Sequence, residues 1–302
     1  MKILNELLDS ITVGEPQVFE TVQVFPLFST RSESAATLLQ LDEALENGLA
    51  EITEVSDAGN VPHLTVINKS PRDIIIYDGQ QLIGAKQNRI VNITVVVAAN
   101  STLPIPVSCV EQGRWRYTSP GFASSDDFSY PSLRRSTHSD VTRSKERGSS
   151  DSDQSKVWRN ISEKMGRMDV FSDTGAMSAI YESQAPDPEV LNLAFNVAEN
   201  QIGYMAFIKG GFAGSDLFTS AAVCRGKMEK LLRGYYLDSR DHGVTFDKVE
   251  IGEILREVRA AEHREFDTVG KGRERRFDAP RVQGSWKEVD GFIPHVTILP
   301  KG

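Results

Sequence analysis

Apolar residues first recur at helical spacing at Ile3, Leu4, Leu7 and Leu8, which predicts a short amphipathic N-terminal helix. "PQVFETVQVFPLFS" then alternates apolar and polar positions, as expected of a strand pair broken at Pro26. In "ESAATLLQLDEALENG" the helical period returns, with Leu38, Leu41 and Leu45 on one face and Gly48 as the C-terminal cap. From Leu49 to Trp115 the chain reads as short β-branched runs separated by "DAGN", "NKSPRD", "DGQ" and "ANSTLP". That cadence predicts an antiparallel sheet or sandwich with strands of about four to eight residues.

Helical periodicity reappears in "SKVWRNISEKMGRM", where Trp158, Ile161, Met165 and Met168 form one stripe. "DPEVLNLAFNVAEN" predicts a second helix, with Pro188 near its first turn. "QIGYMAFIKGG" reads as a strand entering a glycine turn. Two further helices follow, one carrying Cys224, Met228, Leu231 and Tyr235, the other Ile251, Ile254, Leu255 and Val258. The closing "ERRFDAPRVQGSWKEVDGFIPHVTILP" returns to strands. The fold class expected is α+β: a sandwich-like N-terminal half of antiparallel strands, helices in the middle, and C-terminal strands that rejoin the sheet because a few isolated short strands are marginal alone.

Residues 117–155 break this order. Twelve serines fall between Ser119 and Ser155 among few aliphatics, so the segment has little apolar area to offset its ordering entropy. It is expected to be a flexible serine-rich loop or linker inserted in a single domain spanning 1–302, or a loop that orders over a site or on a partner.

Composition narrows the classes. The 302 residues are 39% apolar and 25% charged, a globular balance rather than a disordered one. No stretch approaches the ~20 apolar residues of a membrane-spanning helix, and the acidic, broken N-terminus does not read as a secretory signal, so a cytoplasmic location is the default expectation. A net charge of −8 argues against general nucleic-acid binding, while local basic clusters can still hold a small anion. Cys109 and Cys224 read as buried free thiols, with a single disulfide as the alternative. His63, His138, His242, His263 and His295 are dispersed without ligand spacing, so no metal site is expected, and no motif names a cofactor.

Candidate chemistry centres on "GAKQNRIVN", where four large polar side chains precede the apolar run "ITVVVAAN". Read as a strand, it places Lys86 and Asn88 on one face and Gln87 and Arg89 on the other, so neither face is apolar. Gly84 and Ala85 beside them permit a bulge or a close backbone approach. Lys86 is a compact cation, Arg89 a planar fork for carboxylate or phosphate, and Gln87 and Asn88 can read a base or ribose edge. In "CVEQGRWR", Glu111 is a candidate general base, Arg114 a second fork and Trp115 a stacking wall. The bland alternative is an internal network in which Glu111 is the salt partner of Arg89 or Arg114. "KGGFAGSDLF" offers glycines ahead of a helix that could cradle an anion, or a plain turn capped by Asp216 or Thr219. "VGKGRERRF" is a glycine-rich basic turn open to the same two readings. His295, inside a strand-like run, is the one histidine whose setting looks selected.

The segments "VPHLTVINKSPRDIIIYDGQQLIGAKQNRIVN", "IPVSCVEQGRW", "QIGYMAFIKGGFAGSDLF", "KMEKLLRGYY" and "GKGRERRF…QGSWKEVDGFIPHVTIL", in this order, resemble the ARG and Rhodanese-Phosphatase-superfamily-associated Protein family, where ARG stands for ADP-ribosylglycohydrolase. The resemblance covers roughly residues 50–300. Gly84-Ala85 stands where Gly-Gly is expected. The matching positions are Lys86, Gln87, Asn88, Arg89, Glu111, Arg114, Trp115, Asp216 and His295, and the resemblance implies association with enzymes of ADP-ribose and NAD metabolism. It leads to the expectation of an ADP-ribose-like or related nucleotide or phosphate ligand. Lys86, Arg89 and Arg114 would hold its oxyanions, Gln87 and Asn88 its ribose or base, and Trp115 its ring. His295 is counted with the ligand-binding positions, and Glu111 with Asp216 would act if the ligand is processed. The alternative is a non-catalytic interaction or scaffold protein, a possible homo-oligomer, whose 117–155 segment docks a protein partner.

Overall fold

The computed structural model describes residues 1–30, 38–56 and 61–302. The chain opens with α1 (Lys2–Asp9), β1 (Ile11–Val13), β2 (Gln17–Phe19), β3 (Val22–Ser29), β4 (Leu39–Gln40) and α2 (Leu41–Glu46). A run of strands follows: β5 (Ala50–Glu54), β6 (His63–Asn68), β7 (Ile74–Ile76), β8 (Gln80–Gly84), β9 (Arg89–Val91), β10 (Val95–Val97), β11 (Ser101–Cys109) and β12 (Phe122–Phe128). Then come α3 (Pro131–Lys145), α4 (Gln154–Arg167), α5 (Ser178–Gln184) and α6 (Pro188–Ala194), β13 (Gln201–Ile208) and β14 (Gly211–Phe218), α7 (Ala221–Arg240) and α8 (Ile251–Ala260). Last are β15 (His263–Phe266), β16 (Arg273–Asp278), β17 (Val282–Val289) and β18 (Phe292–Pro300).

The strands form two main antiparallel sheets, so the class is α+β. In the first, nine strands run in the order β1-β3-β13-β14-β18-β17-β16-β15, with β2 also on β3. The C-terminal strands thus join the sheet that the first strands begin. The second sheet, β12-β8-β9-β11-β6-β5, is built from the middle of the chain and curls until its edges approach: at Gly121 a Cβ would lie 2.8 Å from the carbonyl oxygen of Ile52. A small third sheet, β10-β7-β4, closes one end, with β4 parallel to β7.

Pro26 does not break its strand. It lies inside β3 at the place where that strand's partner on one side changes from β2 to β1, so its missing N–H interrupts no ladder, and its carbonyl accepts from the Gly14 N–H at 2.9 Å. The helix expected around Leu38, Leu41 and Leu45 begins only at Leu41, since Leu39–Gln40 pairs as β4; residues 33–37 of that expectation lie outside the described residues.

The larger correction concerns 117–155. This segment holds β12 and the fifteen-residue α3, with Leu133, Thr137 and Val141 buried. Its hydroxyls make that possible. Thr137 and Ser139 donate to main-chain carbonyls one turn back, as does Thr142 to His138, so these polar side chains satisfy themselves on the helix. Pro131 sits in the first turn, and Asp238 of α7 caps that end by accepting from the Ser132 N–H at 2.6 Å and its hydroxyl at 2.9 Å.

Four apolar clusters follow from this layout. One fills the curled sheet around Leu64, Val66, Ile105 and Val107. A second lies between the two sheets and beneath α7, around Tyr77, Tyr204, Met228 and Tyr235. A third packs α1 and α8 on the outer face of the nine-stranded sheet. The fourth joins α3, α4 and α5 to Ile90 and Val110.

Candidate functional site

Within "GAKQNRIVN" the polar residues before Arg89 form a turn rather than a strand. β8 ends at Gly84 and β9 begins at Arg89, and residues 85–88 connect them. Gly84 has φ +125° and Ala85 φ +38°, and a Cβ at Gly84 would meet the Gly121 carbonyl oxygen at 2.6 Å, so glycine is required there. Asn88 closes the turn by accepting the Gly84 N–H at 3.1 Å on its side-chain oxygen.

The loop after β11 is bolted to this turn through Arg114. Its Nη1 donates to the Ala85 carbonyl at 2.7 Å, and its Nη2 to Asn88 Oδ1 at 3.1 Å and Glu111 Oε2 at 2.6 Å. Glu111 Oε2 also receives the Asn88 N–H at 3.1 Å, while Oε1 receives the Thr174 hydroxyl at 2.9 Å. Burial pushes the Glu111 carboxyl up, but the hydrogen bonds from Arg114, Asn88 and Thr174 outweigh it and hold the group ionised below its ordinary range. Gln87 donates to the Glu111 carbonyl at 2.9 Å and accepts from Arg89 Nη1 at 3.2 Å.

Two directions lead away from this lattice. Toward the surface, Lys86, itself buried at 8% exposure, places its Nζ 5.2 Å from the ring centroids of both Trp115 and Tyr117, which are 48% and 50% exposed. Inward, Arg89 is 0% exposed and points into the curled sheet toward Glu54, with Nη2 3.9 Å from Glu54 Oε1. Its Nε and Nη2 have no hydrogen-bond partner among the described residues. Burial pulls its pKa down.

Asp216 and His295 come together elsewhere, where the two sheets face each other. Asp216 lies within β14 and caps no helix; Ser220 caps α7 instead. Arg134 of α3 is clamped between two carboxylates, with Nε 2.9 Å from Asp78 Oδ2 and Nη2 2.6 Å from Asp216 Oδ1. His295 Nε2 is 3.1 Å from Asp216 Oδ1 and its Nδ1 is 2.8 Å from the Thr94 hydroxyl, while Tyr204 donates to Asp216 Oδ2 at 2.7 Å. The His295 ring stacks on Phe218 with centroids 5.2 Å apart. All these side chains but Thr94 are buried. Burial pushes Asp216 up, yet Arg134 and His295 outweigh it and hold its carboxyl well below the usual range; Arg134 itself is raised because its two carboxylates overcome burial.

So Lys86, Gln87, Asn88, Arg89, Glu111, Arg114 and Trp115 share one lattice, while Asp216 and His295 belong to another. Sequence reasoning did not single out Asp78 or Arg134. Arg134 was hidden in the serine-rich stretch, where its one usable signal is a position beside Leu133, one turn before Thr137 and two before Val141.

Among the described residues no group of three or more His, Cys, Asp or Glu side chains is placed to hold a metal, and no helix is long and apolar enough to cross a membrane. Cys109 and Cys224 are buried free thiols. Against known proteins, the model of the ARG and Rhodanese-Phosphatase-superfamily-associated Protein domain matches residues 10–299. No curated protein and no solved structure matches this chain.

Proposed function

Since the chain belongs to the ARG and Rhodanese-Phosphatase-superfamily-associated Protein family, whose name records an association and no reaction, we propose from its site that it binds a nucleotide-like ligand on the turns 85–88 and 111–118. The observation that carries this is the ammonium of Lys86 held between two half-exposed aromatic rings. Trp115 and Tyr117 offer faces on which a planar base can stack, and Lys86 supplies positive charge beside them for a phosphate. Arg114, Glu111, Gln87 and Asn88 hold this surface rigid from behind and are positioning residues. Preorganisation of that kind lowers the ordering cost of binding.

Binding, rather than processing, is the reading that fits the carboxylates. Both oxygens of Glu111 are occupied by donors, and Asp216 is sealed between the sheets, so neither faces a place where a substrate proton could be taken. An ADP-ribose-like molecule, with an adenine and a diphosphate, suits a ring-and-cation surface.

Titration calorimetry with adenosine, AMP, NAD and ADP-ribose tests this. AMP should bind more tightly than adenosine, and Trp115→Ala should weaken both by about 10- to 100-fold, as expected for a stacked base. Wild-type protein that ignores all four ligands, or binds them as well after Trp115→Ala, would sink the reading. A protein partner is the second reading, favoured by Phe171: it is 85% exposed on the loop whose Thr174 is tied to Glu111. Cross-linking from position 171 in cells separates that case from small-molecule binding.

A further inference from the structure

A cleft of about 420 Å³ lies along α3 and α4. The two helices present polar side chains to it at the same spacing: Ser132, Ser136, Ser139 and Arg143 on α3, and Lys156, Asn160, Glu163 and Arg167 on α4. Arg135 adds a fourth cation. Four cations against one lining side-chain carboxylate, Glu163, which lies 3.9 Å from Arg167, give a local positive excess in a chain whose net charge is −8.

Buried acidic groups hold three of these cations from behind. Asp140 contacts Arg143 and takes Lys156 Nζ at 3.1 Å; Asp241 takes Arg167 Nε at 2.8 Å and Nη2 at 2.9 Å. These carboxylates reduce the positive excess without cancelling it, and they fix cation heads that stay partly exposed: the Arg143 side chain is 66% exposed. Arg135 differs. It lies over the Phe246 ring at 5.4 Å, and the carboxylates of Asp238 and Asp247 act on it only from beyond direct contact, so burial prevails and pulls its pKa down. Ser136 accepts from Asn160 Nδ2 at 3.1 Å, which leaves its own proton available to a ligand.

We propose that this cleft is a binding site for a phosphate monoester of a small polyol or sugar. Its volume is that of a small-molecule site and exceeds what a bare oxyanion fills. The guanidinium of Arg135 would take the phosphate oxygens, since a planar fork suits that geometry, and Arg143, about two turns further along α3, would add positive charge from the other end of the cleft. Ser136, Asn160 and Glu163 would meet hydroxyl groups of the remainder, a donor and acceptor set that an inorganic ion would leave unused. Nothing here depends on the Trp115 surface, because the ligand needs no aromatic ring.

The test is calorimetric titration of the full chain with ribose 5-phosphate, inorganic phosphate and ribose, at ionic strength held constant with sodium chloride. Ribose 5-phosphate is expected to bind, inorganic phosphate more weakly and ribose not at all. Arg135→Gln and, separately, Arg143→Gln should each weaken the sugar phosphate by about 10- to 100-fold, the loss of one charge-assisted hydrogen bond. Arg143 is mostly exposed, so its variant will fold and keeps the test sound if Arg135→Gln does not. No binding of ribose 5-phosphate by wild type, or binding unchanged in the folded variants, would overturn the proposal. Phosphate binding equal to that of the sugar phosphate would show simple anion attraction and overturn it as well.

Discussion

Arg134 and Arg114 are both locked by carboxylates, and their settings give them different work. Arg134 sits between Asp78 and Asp216 where the two sheets meet, with Tyr204, Thr297 and His295 closing the group against solvent. Arg114 is locked by Glu111 and by carbonyl oxygens of the 85–88 turn, but the next residue along, Trp115, is half exposed. The first group joins α3 and the segment after β7 to three strands of the large sheet, β13, β14 and β18. The second joins two turns and presents what lies outside them. A buried charge cluster with nothing open beside it fixes architecture; a similar one under exposed rings fixes a surface.

The comparison can be broken most severely at Arg134. Arg134→Met leaves Asp78 and Asp216 buried and facing each other, which should cost about 3 to 5 kcal/mol in urea unfolding. A cost below about 1 kcal/mol would show that the sheets do not depend on this clamp. The same group sets the response to acid. Burial pushes Asp78 and Asp216 up, but Arg134 outweighs it, so both are held below the ordinary carboxylate value. Their ionised forms therefore stabilise the fold above the unfolded value of about 3.9, and this contribution is lost as the pH falls below it. Near-ultraviolet circular dichroism should show acid unfolding below about pH 4, and in Arg134→Met the transition should move to higher pH.

An intermediate effect is expected at the turns. Arg114→Ala removes donors from Glu111, Asn88, the Thr118 hydroxyl and three carbonyls, which should cost about 2 to 3 kcal/mol and abolish ligand binding together. If stability falls while binding survives, the lattice does not position the Trp115 surface. The smallest change in stability is expected for Trp115→Ala, within about 1 kcal/mol, because the ring is half exposed and the buried Lys86 ammonium that loses it keeps the Tyr117 ring at 5.2 Å. Denaturant midpoints of the two variants, set beside their binding, separate support from contact.

The serine-rich stretch shows where composition misleads. Few aliphatics and many hydroxyls argue for a loop when each residue is counted alone. In α3 the hydroxyls return their hydrogen bonds to the helix, Leu133 and Val141 supply the apolar stripe, and the cap comes from Asp238, more than ninety residues away along the chain. No local reading supplies that last partner. With α3 restored, one face of it carries Arg134 into the buried centre and the other carries Arg135 and Arg143 into the cleft.

Local pattern was enough for the antiparallel α+β character and for the meeting of Lys86–Arg89 with Glu111–Trp115, because turn residues and period fix short-range backbone and neighbouring strands; it missed β12 and α3 in the order of elements. Which of those polar groups faces out was beyond it. Period two assigned Lys86 and Asn88 to one face of a strand, whereas positive φ values at Gly84 and Ala85 make a turn in which Lys86 faces the rings and Asn88 closes the backbone. The pairing of Asp216 with Arg134, and the gathering of cations along α3 and α4, were decided by packing alone. Charges distant in sequence act on one another only once the fold excludes water between them and brings them within a few ångströms.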